Sequence, residues 1–141
     1  MILSRFSRFD DSETGKEDKW LNYCLAKSYY KRDAILLSHD TINSVEVASF
    51  LASHPTYFAK QYPSSCGNGV VKITNANAEM GGGNLLDFYP CWILEEPIIQ
   101  SNQMSCWCAS CVNTIRINSF LHNGRVRTLG NCFRTGREGS M

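Results

Sequence analysis

Three cysteines fall within one six-residue stretch, Cys106-Trp107-Cys108-Ala109-Ser110-Cys111, and Cys132 follows beyond a hairpin signal. A Cys-x-x-Cys turn aims two thiols at one point, the commonest spacing of a zinc knuckle. Thiolate sulfur suits zinc, which takes four such ligands in a closed structural site. The spacing therefore marks Cys106, Cys108, Cys111 and Cys132 as a candidate metal site with zinc as cofactor, and Cys91 in reserve. The competing reading makes them small buried hydrophobes with inert thiols.

The hairpin chooses among these ligands. Asn123-Gly124 between Thr114–Leu121 and Arg125–Cys132 is a strong signal for a two-residue type I′ turn. His122 then pairs with Arg125, and a regular ladder sorts the side chains onto two faces. One face carries Ile115, Ile117, Ser119, Leu121, Val126, Thr128 and Cys132, and the other Arg116, Asn118, Phe120, His122, Arg125, Arg127 and Leu129. His122 sits at the tip, more than ~30 Å from Cys111 along an extended strand at ~3.3 Å per residue. Cys132 returns toward the base, on the face of Cys111 by parity, so it is preferred to His122 as a ligand.

Charge points to a partner. Residues 1–100 carry a net −3, whereas residues 101–141 carry +4, all of the positive charge being arginine (Arg116, Arg125, Arg127, Arg134 and Arg137). Guanidinium groups make bidentate contacts to phosphate or carboxylate. Arg116, Arg125 and Arg127 with Phe120 between them form the chemistry of a phosphate-and-base surface. The expected partner is nucleic acid or an acidic protein surface. The bland alternative has these arginines solvating a sheet face and pairing with the acidic N-terminal half.

A thiol enzyme is the other functional class considered. Cys66 in the Ser64–Gly69 loop is a conceivable nucleophile, with His39 or His54 as its base. Such an enzyme would be a hydrolase or transferase. The zinc-deaminase pattern is missing, because no His-x-Glu precedes a Pro-Cys-x-x-Cys. Gly81-Gly82-Gly83 lacks the Lys-Ser/Thr that a phosphate loop needs.

The elements that must position these residues follow from periodicity. A helix is expected over Glu17–Leu37 on an apolar stripe of Leu21, Leu25 and Tyr29, widened by Trp20 and Cys24. A second helix starts at Asn43 or Ser44 and carries Val47, Phe50 and Leu51, with Glu46 completing a capping box if Asn43 is the cap. Pro55 can open a third, through Tyr57, Phe58 and Gln61. Val70–Thr74 and Leu85–Leu94 are expected strands. The fold class is therefore α+β, with two or three N-terminal helices on a small, mostly antiparallel sheet that ends in the hairpin and knuckle. One domain is expected over 1–141: a flexible segment 1–19, a helical part 20–63, a β part 64–134 and a tail 135–141.

Two short stretches resemble known motifs. Val45–Lys60 resembles a helix-turn-helix, with Ala48, Leu51 and the Ser53-His54-Pro55-Thr56 turn in its small, apolar and turn positions. It implies a recognition helix whose polar readers are only Lys60 and Gln61. Gly130-Asn131-Cys132-Phe133-Arg134 resembles the nucleophile segment of ovarian-tumour-type deubiquitinases. That family places its catalytic histidine downstream of the cysteine, and no histidine follows Cys132 here.

Hydrophobic residues make up 43% of the chain and charged ones 19%, enough to bury a globular core. No apolar run approaches the ~20 residues of a membrane-spanning helix, and Arg5 and Arg8 interrupt the apolar start where a secretory signal would need continuity. The expected location is intracellular, cytoplasm or nucleus, where thiols stay reduced. Oligomeric state is left open. Taken together, the residues point to a small non-enzymatic zinc-binding regulatory or adaptor protein, with the Cys66 enzyme as the alternative.

Overall fold

The structure, a computed structural model, describes residues 18–63, 69–74 and 82–136. They fall into two compact units, one within Asp10–Pro97 and one within Ile98–Met141. Among the described residues the architecture is α+β with antiparallel sheets. The expected segment at 1–17 and Gly81 lie outside the described residues, whereas Gly82 and Gly83 open a helix.

The first unit is built on a four-stranded sheet: β1 (Ala34–Ser38), β2 (Thr56–Gln61), β3 (Val70–Thr74) and β4 (Cys91–Glu95). Its order is β1-β4-β2-β3 with every neighbouring pair antiparallel. Helix α2 (Val45–Ser53) connects β1 to β2, which run parallel to each other with β4 inserted between them. This is a split β-α-β arrangement. Helix α3 (Gly82–Phe88) lies in the connection from β3 to β4, which are likewise parallel with β2 between them.

Side-chain alternation explains the sheet. Ile35, Leu37, Tyr57, Ala59, Ile73, Trp92 and Leu94 share one face through the register pairs Leu37↔Trp92, Ala59↔Leu94 and Tyr57↔Ile73. Val47 and Phe50 of α2 and Leu85 and Leu86 of α3 join them in one buried cluster. The Trp92 indole N–H reaches two carbonyls at the end of α3, Leu85 O at 2.9 Å and Tyr89 O at 3.0 Å. A buried indole normally finds such a partner.

Three expected elements are corrected. The helix expected over Glu17–Leu37 is α1 (Lys19–Ala26) followed by strand β1. Asp18 caps it, its carboxylate accepting from Leu21 N at 2.9 Å. Leu21, Leu25 and Tyr29 are exposed, and the buried residues are Tyr23 and Ala26. Pairing of Ile35 and Leu37 with β4 outweighs the helical periodicity of this stretch. The expected third helix is strand β2, where Tyr57 and Ala59 are buried in alternation. That also removes the second helix of the helix-turn-helix resemblance. Leu85–Leu94 divides into α3 and β4 around Pro90. At α2 the cap is Ser44, whose hydroxyl accepts from Val47 N at 3.2 Å.

The second unit contains a four-residue helix, α4 (Asn102–Ser105), and a hairpin of β5 (Thr114–His122) and β6 (Arg125–Arg134). The turn is at Asn123-Gly124, with φ of 49° and 73°, the left-handed conformation that a type I′ turn requires.

Replacing Trp92 by Phe keeps most of the apolar area but removes the indole donor shared by two helix-end carbonyls. Trp92→Phe should lower unfolding free energy by about 1–3 kcal/mol. Urea denaturation followed by far-UV circular dichroism checks this, and an unchanged midpoint would show that the bond contributes nothing.

Candidate nucleic-acid interface and cysteine knuckle

The hairpin register begins as the turn dictates: His122↔Arg125, Leu121↔Val126, Phe120↔Arg127 and Ser119↔Thr128. Between Asn118 and Ser119 it shifts by one, so that Asn118 faces Gly130 and Leu129 has no partner in the ladder. Leu129 is thus the extra residue of a β-bulge. Because side chains alternate with period two, one extra residue transfers everything beyond it to the opposite face.

The consequence is a redistribution of chemistry. Arg116, Phe120, Arg125 and Arg127 share a face, matching their expected grouping, and the bulge adds Arg134, opposite Thr114, and Cys132, opposite Arg116. Phe120 and His122 lie beside each other with ring centroids 6.4 Å apart. Phe133 and Asn131 move to the other face, beside Ile115 and Ile117. The parity argument that put Cys132 on the face of Cys111 is therefore overturned. Its premise was an unbroken ladder. Arg134 was missed for the same reason, and no local signal short of Gly130 in the strand hints at the irregularity.

Every residue of β5 and β6 is exposed. The apolar face of Ile115, Ile117, Leu121, Val126 and Phe133 is open, with Trp107 packed edge-on against Phe133 at 5.4 Å. No residue from 98 to 136 is acidic, so the arginines have no counter-charge within this described segment. A two-stranded ribbon solvated on both faces is marginally stable by itself.

The cysteine knuckle is organised by two side-chain amides that sequence reasoning did not single out. Gln100 Nε2 donates to the carbonyls of Cys108 and Cys111, both at 3.2 Å, while its Oε1 accepts from Asn113 N at 2.6 Å. Asn113 is buried, and its Nδ2 donates to Met104 O and Cys108 O, both at 2.9 Å. The turn brings Cys108 and Cys111 together. The Cys108 thiol is held below the ordinary thiol range, first by a hydrogen bond from Cys111, then by the Ser110 hydroxyl and by the amides of Ser110 and Cys111. Cys106 is exposed, and its thiol donates to Gln103 O at 2.9 Å. Cys132 stands opposite Arg116 on the arginine face. The structure thus pairs two of the four candidate ligands and places the other two elsewhere.

The remaining candidates belong to the first unit. Cys66 lies outside the described residues. His39 is an exposed turn residue after β1. His54 ends α2, its ring stacked on Phe50 at 4.3 Å and its Nδ1 2.9 Å from Phe50 O. Among the described residues, one group of three His, Cys, Asp or Glu side chains has ligand atoms within 4.8 Å of one another: Asp33, His54 and Glu96. No described helix is long and apolar enough to cross a membrane. No protein-family model, curated protein or solved structure matches this chain.

The two thiol environments make a pH prediction. Burial pushes the Cys91 thiol up, whereas Cys108 is pulled down. Only thiolates alkylate at useful rates. In metal-free protein, Cys108 should therefore label with iodoacetamide before Cys91 as pH rises, and Cys111→Ala should move the Cys108 midpoint to higher pH. Peptide mapping by mass spectrometry reads both. A Cys108 midpoint at or above that of Cys91 would contradict the geometry.

Proposed function

We propose that the 98–136 segment is a non-enzymatic nucleic-acid-binding ribbon, part of a small regulatory or adaptor protein, with a zinc ion held at its knuckle. The observation that carries the reading is the four-arginine face of Arg116, Arg125, Arg127 and Arg134 on a segment that has no acidic residue. Arginines without internal counter-charges gain most from a polyanion, because phosphates release condensed counterions when neutralised. A two-stranded ribbon fits a major groove about 12 Å wide. Phe120, opposite Arg127 on the same face, offers a stacking platform for an unpaired base. An acidic protein surface would satisfy the charge but not make use of Phe120.

In this reading Cys108 and Cys111 supply the first two zinc ligands, and Cys106 and Cys132 would have to close on them to complete the set. Amide and hydroxyl donors around Cys108 favour a thiolate, the form that binds metal. A thiolate–zinc site would fasten the base of a ribbon that otherwise lacks a core.

Binding to labelled oligonucleotides, followed by fluorescence anisotropy against salt, tests the interface. Each single Arg→Ala at 116, 125, 127 or 134 should weaken binding regardless of sequence and reduce the salt slope by about one. Phe120→Ala should cost roughly 1–3 kcal/mol on single strands and little on duplexes. Deleting Leu129 should leave binding nearly unchanged, because Gly130 then follows Thr128 in a regular ladder that keeps Arg134 opposite Thr114 on the arginine face. A quadruple arginine variant that binds as well as the natural chain would overturn the reading, and binding to polyglutamate alone would assign the face to an acidic protein.

Metal content tests the knuckle separately. About one equivalent of zinc should copurify with untagged protein and be removed by a chelator, with on the order of 10 kcal/mol of folding free energy attached to such sites. Cys111→Ser should lose the equivalent held at the knuckle and His122→Ala should leave it intact. Protein that is stable and metal-free would end the zinc reading while leaving the arginine face to stand or fall by the binding data.

A further inference from the structure

Asp33 and Glu96 lie just beyond the β1–β4 ladder, whose last pair is Ala34↔Glu95. Their backbones continue the pairing, Glu96 N donating to Asp33 O at 2.9 Å, and Asp33 N donating to the Glu96 carboxylate at 3.1 Å. Two carboxylates are thus cross-strand neighbours, an arrangement that costs stability unless a positive charge sits between them. The nearby cations are committed to another carboxylate. Arg32 and Lys60 both pair with Glu95, at 3.3 Å and 2.7 Å.

His54 faces this pair with its tautomer already set. Its Nδ1 lies 2.9 Å from Phe50 O, and a carbonyl only accepts, so Nδ1 carries a hydrogen. Stacking on Phe50 fixes the ring plane. Nε2 then points toward Asp33 Oδ2 at 3.7 Å, with the His54 side chain 14% exposed. A neutral imidazole would aim a lone pair at a carboxylate. That geometry is favourable only with a cation between them, whether a proton on Nε2 or a metal ion.

We infer that Asp33, His54 and Glu96 form a binding site for a divalent transition-metal ion of the zinc class, independent of the cysteine knuckle. Two donors about 2.1 Å from a tetrahedral zinc stand ~3.4 Å apart, close to the observed separation of Nε2 and Oδ2. The imidazole favours zinc and its neighbours over calcium or magnesium. Donation from the second ring nitrogen to a backbone carbonyl is the support that metal-bound histidines usually have. Asp33 is largely exposed and Glu96 half-buried, so both carboxylates can close on an ion. Three protein ligands leave a fourth position for water. Such an ion would tie the C-terminus of α2 to the ends of β1 and β4.

Isothermal titration of full-length Cys108→Ser/Cys111→Ser with zinc chloride isolates this site from the knuckle. One equivalent should bind, and His54→Gln in the same background should weaken it by tenfold or more, on the order of the 10–100-fold losses seen even for supporting residues. Asp33→Asn and Glu96→Gln should weaken it as well, with circular dichroism confirming that each variant remains folded. Nitrogen-15 NMR of the imidazole should show Nε2 losing its lone-pair signature on zinc addition while Nδ1 stays protonated. No binding in the double serine variant, binding unaltered by His54→Gln, or an Nε2 proton that persists at neutral pH in saturating zinc would each overturn the proposal. A natural chain and a double serine variant that bind the same single ion would support this site and remove the knuckle instead.

Discussion

Pairing on both edges of strand β4 is the constraint on which the first unit depends. Trp92, Ile93 and Leu94 are 2%, 2% and 0% exposed, so this short run is covered on both faces. A strand buried in this way has to satisfy its backbone through neighbours on each side. Those neighbours, β1 and β2, come from far earlier in the chain, and their parallel courses around β4 require α2 to cross from one to the other. The same pairing brings Asp33 beside Glu96, and the crossover returns His54 to them. The three-residue cluster is thus a by-product of topology, assembled from the start of β1, the end of α2 and the end of β4.

In the second unit a single extra residue has comparable influence. Leu129 interrupts the ladder, and the strand beyond it is rotated by one side-chain position. Arginine therefore accumulates on one face and apolar side chains on the other, giving the ribbon a cationic side and an oily side. Bulges recur where a strand must re-aim particular side chains. Here the re-aimed residues are Arg134, which joins the cations, and Phe133, which meets Trp107.

The knuckle shows a different route to order. Gln100 and Asn113 replace the missing ladder with side-chain amides that bind the carbonyls of Met104, Cys108 and Cys111. This network holds the Cys-x-x-Cys turn in a shape that brings its two thiols together. Cys106, bonded to Gln103 O, stays within its own helical turn.

Much of this was legible in the residues. The α+β class, the helix over Val45–Ser53, the strand at Val70–Thr74, the Asn123-Gly124 hairpin and the grouping of Arg116, Phe120, Arg125 and Arg127 all follow from local patterns of period and turn chemistry. Local rules suffice there because each depends on contacts within a few residues. What only the tertiary structure decided were features set by partners distant in sequence. Ile35 and Leu37 carry a helix-compatible pattern but lie in a sheet because β4 is there to pair with them. Thr56–Gln61 follows a proline that could open a helix, yet it becomes a strand between β3 and β4. The bulge at Leu129 depends on which pairs pack best across two strands, a choice that no single strand encodes. Asp33, His54 and Glu96 are separated by two segments of chain, and only the sheet order makes them neighbours.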